Sequence, residues 1–102
     1  MKTLLAIYRR SADPEAFLAR YHEGHAPLVR RLPGLVSLAV TQVERVYGDG
    51  EGAPFLLAAM AFADGDALKA ALKSPEMAAV GADVAQFAEG LVTIVSGETQ
   101  AV

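Results

Sequence analysis

"FLLAAMAFA", Phe55 to Ala63, is an unbroken apolar run of nine residues. It suits a strand with neither face turned to water, because a strand wet on one side alternates apolar with polar. Upstream lies "YGDGEGAP" (Tyr47–Pro54), a turn-forming stretch. Before it, "LVSLAVTQVERV" (Leu35–Val46) sets Val36, Leu38 and Val40 against Ser37, Ala39 and Thr41, as a long strand does. Downstream, Asp64 or Asp66 caps a helix over "DALKAALK". Ser74-Pro75-Glu76 then restarts a helical segment whose inward positions are Met77, Val80, Val84 and Phe87. "GLVTIVSG" (Gly90–Gly97) closes as a last strand.

The amino-terminal half has the same layout. Lys2 to Tyr8 reads as a strand, and Asp13, Pro14 and Glu15 are cap, first-turn and dipole residues for a helix. Phe17, Leu18, Tyr21, His25 and Leu28 recur along it at helical spacing. Gly24 and Pro27 weaken its end, and Pro33-Gly34 stops the chain before the next strand. The order βαββαβ predicts one α+β domain over residues 1–102. The expected form is a ferredoxin-like sandwich, a four-stranded antiparallel sheet with helices on one face.

Two helices leave the second sheet face open, yet the third and fourth strands read as apolar on both faces. Soluble monomers avoid exposing such a patch. The expected cover is a second copy, giving a homodimer in which two open sheet faces meet as a dimeric α+β barrel enclosing a cavity.

Composition narrows the functions. Of the 102 residues 53% are apolar and 21% charged, with no cysteine. That excludes disulfides, thiolate chemistry and cysteine-based metal sites, and it fits a cytoplasmic protein. Residues 1–51 hold seven basic and six acidic side chains, and residues 52–102 hold two and six. Neither half provides the basic stripe of a nucleic-acid partner. No apolar run reaches the length of a membrane span, and no export signal is expected.

Both histidines fall in "RYHEGHAPLVRRLPGL" (Arg20–Leu35). Tyr21 stands four residues before His25; Ala26-Pro27-Leu28 follows, then Leu32-Pro33-Gly34. This stretch resembles the signature of the EthD-like family, named for ethyl tert-butyl ether degradation, of the dimeric α+β barrel superfamily. "LKSPEM" (Leu72–Met77) is similar to that family's second helical region. The resemblance in layout spans nearly the whole chain. It implies a homodimer with a pocket between sheet and helices. His22 and the glycine-rich turn have no counterpart in the pattern.

On a helical wheel His25 falls among Phe17, Tyr21 and Leu28, facing the sheet, where it can act as a general acid or base. Its structural alternative is a packed histidine bonded to a helix-end carbonyl. Tyr21 either orients a substrate or fills the core, and Tyr8 is expected to be a core residue whose hydroxyl reaches the surface. Arg30 and Arg31 can draw in an anionic substrate or complement a helix dipole. "HEGH" is one residue short of the zinc-binding His-Glu-x-x-His spacing, so no metal is expected. "GDGEG" joins strands and carries two carboxylates, so it reads as a hairpin loop and lid rather than a phosphate loop. No cofactor motif is present.

What the resemblance implies for activity is a cofactor-free isomerase, dehydratase or oxygenase acting on a small aromatic or carbonyl compound. Catalysis falls to His25 and Tyr21, substrate binding to Arg30 and Arg31. The alternative is a non-catalytic binding or accessory protein of a catabolic pathway, and a third is a purely structural dimer module.

Overall fold

A computed structural model describes residues 1–48 and 52–102. The centre of the glycine-rich turn, read above as a loop and lid, lies outside the described residues. The strands are β1 (Lys2–Arg9), β2 (Leu35–Gln42), β3 (Pro54–Phe62) and β4 (Val92–Glu98). The helices are α1 (Pro14–Arg20), α2 (Ala26–Val29), α3 (Gly65–Leu72) and α4 (Pro75–Phe87), with a π-helical turn, Tyr21–His25, joining α1 to α2.

The helices begin where side chains satisfy free backbone donors. Asp13 accepts from the Ala16 N–H at 3.2 Å, Asp64 from Ala67 at 2.9 Å and Ser74 from Met77 at 3.1 Å. Asp64, not Asp66, is therefore the cap of α3. Gly34 turns the chain into β2 with φ of 74°, a conformation that favours a residue without Cβ.

The strands form one antiparallel sheet in the order β2-β3-β1-β4. Leu4, Ala6 and Tyr8 of β1 and Leu56, Ala58, Met60 and Phe62 of β3 are buried, forming the floor under the helices. On the other face Leu5 pairs with Ala59 and Val95, and Ile7 with Leu57 and Thr93. The centre of that face is thus apolar with no helix over it, as the double-sided apolar run of β3 required. Among the described residues, no helix is long and apolar enough to cross a membrane.

Three expectations change. Strand β2 ends at Gln42, not Val46, and its last rung is the Val43 N–H donating to the Phe55 carbonyl at 2.8 Å. Pro54, which opens β3, has no N–H to extend the ladder. A register shift between Leu35 and Ser37 also turns Val36 outward, leaving it 57% exposed. Strand β4 is not apolar on both faces, because Thr93 and Gly97 flank Val95 on one side and Ser96 follows Ile94 on the other.

Candidate functional site

The site is built around the π-turn. The Ala26 N–H donates to the Tyr21 carbonyl, one residue further back than in an α-helix. Two residues explain the wider turn. Pro27 cannot donate to the ladder, and Gly24 clears a path for the Arg20 side chain. A Cβ built on Gly24 lies 2.5 Å from Arg20 Nη1. The helix that reads as merely weakened at Gly24 and Pro27 is therefore remodelled there.

The turn separates the two histidines. His22 is exposed with its ring against Tyr21, whereas His25 is 2% exposed. His25 Nδ1 lies 2.9 Å from Asp83 Oδ2 on α4. Arg20 grips the same carboxylate with both guanidinium nitrogens, Nη1 at 3.1 Å from Oδ2 and Nη2 on Oδ1. The Phe87 ring packs near both, 4.9 Å from the His25 ring and 5.1 Å from the Arg20 guanidinium carbon.

Asp83 escaped the sequence reading. It comes three residues after Val80 and four before Phe87, on the stripe of α4 assigned to the core. A carboxylate on an apolar stripe is costly unless paired, and that anomaly was the available signal.

His25 and Tyr21 line a partly enclosed cavity of about 40 Å³ between the helices and the sheet. Leu4, Ala6, Tyr8, Ala58 and Met60 form its floor. Val29, Met77, Val80 and Val84 close it from the helical side, and Ile94 of β4 stands at its edge. Tyr8 is 1% exposed, a core residue as expected, but the whole residue is buried beside this cavity and does not reach the surface. Its ring meets Tyr21 edge-on at 5.7 Å. The Tyr21 hydroxyl is buried with no hydrogen-bond partner among the described residues, which leaves it free to bond a ligand or water. Arg30 and Arg31 are exposed and do not line this cavity. Arg31 borders a separate surface groove between α2 and the start of α4.

Electrostatics gives each group a role. The Arg20 hydrogen bonds hold the Asp83 carboxyl below the usual carboxylate range, so it stays ionised and only accepts. His25 Nδ1 must then carry the proton, which leaves the lone pair on Nε2. Burial lowers the His25 pKa despite the opposing pull of Asp83, keeping the imidazole neutral near neutral pH. Burial pushes the Tyr21 hydroxyl up to about 12, against a lowering by Arg30, so it remains a proton-bearing donor.

These shifts predict acid sensitivity. His25 binds a proton less readily folded than at its ordinary value of 6.5, and Asp83 less readily than at 3.8. Below those values the unfolded chain holds more protons, so stability rises with pH and is lost on acidification. The melting temperature is expected to fall between pH 7 and pH 5, and less so for His25→Gln. Equal pH slopes for the two proteins in circular-dichroism melts would rule this out.

The EthD domain family model matches residues 9–90. A protein from the thcB–thcC intergenic region of Rhodococcus erythropolis, described as an uncharacterized 11.0 kDa protein, is 32% identical over 102 residues, covering 100% of this chain and 98% of that one. The crystal structure of an EthD family protein from Bacillus halodurans is 34% identical, with a TM-score of 0.85 over 98% of this chain and 99% of that one. SnoaB, a cofactor-independent oxygenase from Streptomyces nogalater, shares the fold at 19% identity and a TM-score of 0.63, over 98% and 91% of the two chains.

Proposed function

This chain belongs to the EthD family, and from that premise we propose that it is a homodimeric enzyme in which His25 moves a proton on a small apolar carbonyl or phenolic compound. The observation that carries the reading is a buried Asp83–His25 pair on the wall of an apolar cavity, beside a tyrosine hydroxyl with no partner among the described residues. Nδ1 is engaged, so Nε2 is the base. It takes a proton from a carbon next to the substrate carbonyl, and the Tyr21 hydroxyl donates a hydrogen bond to the oxygen as it gains charge. Return of the proton to another carbon gives isomerisation. Left as the enolate, the substrate can expel a leaving group from the adjacent carbon; a phenol instead gives its hydroxyl proton to Nε2, and the phenolate can react with dioxygen.

The dyad supplies this proton transfer from the chain's own side chains, which is the basis for proposing a cofactor-free reaction. Oxygenation is also the activity named for SnoaB, whose likeness to this chain is one of fold. Arg30 and Arg31 lie outside the cavity, where they contribute a positive field near its helical wall. A cytoplasmic location fits the cysteine-free chain.

The test is a metabolite extract incubated with wild type and with His25→Gln, followed by untargeted mass spectrometry. Wild type alone is expected to deplete one small compound over many turnovers and raise a matching product mass. A compound retained one-to-one and recovered unchanged by both proteins would support the second reading, a binding or accessory protein. A cavity of about 40 Å³ holds little beyond water in its resting shape, so either reading requires part of the wall to move.

A further inference from the structure

A cavity of about 40 Å³ takes no aromatic compound until part of its wall moves. Most of that wall is fixed. Tyr21, His25 and Val29 are at most 2% exposed, and the floor belongs to the two central strands. Ile94 is different. It lines the cavity, yet it is 51% exposed, more than any other lining residue, with Met77 and Val84 half-buried. It sits on β4, an edge strand held in the sheet through β1 alone. Across the cavity stands Val84 of α4, itself only half-buried.

We propose that Ile94 is the gate of the His25 cavity and sets the size of compound that enters. The inference rests on the proposed function in taking this cavity as the substrate site. Its physics needs only that swinging or trimming one half-exposed side chain opens the cavity to solvent. Ile94 pairs with Ala6 across β1 and faces the helices, whereas its neighbour Val95 faces the open side of the sheet. A homodimer joined through the open face therefore leaves the gate uncovered.

The test is benzene binding to the purified protein, followed by NMR. Benzene has no exchangeable proton and reads the gate without the chemistry. Ile94→Ala removes three carbons from the wall and is expected to bind benzene at least about tenfold more tightly than wild type. Ile94→Val should fall between, Ile94→Trp should bind least, and Val95→Ala should match wild type. The ordering is expected to persist in a His25→Gln background. Equal affinity for wild type, Ile94→Val and Ile94→Ala, or the same gain from Val95→Ala, overturns the gate. Failure of the proposed chemistry shows separately, as turnover that survives His25→Gln.

Discussion

Asp83→Asn is expected to lower turnover as severely as His25→Gln, by about 10²- to 10⁴-fold, the range of a lost general base. The reason is a forced tautomer. Arg20 donates two hydrogen bonds to the residue at position 83 and needs an oxygen there. The amide therefore turns its oxygen to Arg20 and its NH₂ to His25, so Nδ1 becomes an acceptor and the proton moves to Nε2. The imidazole keeps its place and loses its usable lone pair. Stability falls too, by about 1–3 kcal/mol, since a charge-assisted bond to a buried partner is replaced by a neutral one. The ¹⁵N shifts of the His25 ring report the tautomer with no substrate present. A ring that keeps its lone pair on Nε2 in Asp83→Asn, with turnover unchanged, sinks the dyad.

The second large effect concerns assembly. Ala59 lies at the middle of the open face, paired with Leu5 on one side and Ala39 on the other. In the proposed homodimer Ala59→Glu places a carboxylate between two apolar sheets with no partner. Such an uncompensated charge costs about 3–5 kcal/mol, a rise of about 10²- to 10³-fold or more in the dimer dissociation constant. Sedimentation is expected to find wild type at twice the chain mass and Ala59→Glu at the chain mass. Lys73→Glu, exposed at the end of α3, serves as the control and stays dimeric. A monomeric wild type at the same concentrations removes the homodimer from the proposal, and with it the reason for a dry open face.

The split βαββαβ order, the caps at Asp13 and Ser74 and the two-sided apolar character of β3 were all written locally. Each depends on residues a few positions apart, where periodicity and capping act. The "YHEGH" stretch was legible as the candidate site, and His25 was legible as the inward member of its pair. What the sequence left open was the bonding. Asp83 lies 58 residues from His25 and meets it only because α4 packs against α2 and the π-turn. Likewise, Tyr8 reads as a core residue, but its packing edge-on against Tyr21 and Phe17 is set only in the fold. The short β2 depends on a proline across the turn, and the Ile94 wall on a cavity spanning three strands and three helical segments. The sequence by itself determined the layers, the apolar open face and the histidine. Only the tertiary structure decided which carboxylate holds that histidine, because burial and hydrogen bonding over such distances are set by packing and leave no periodic mark along the chain.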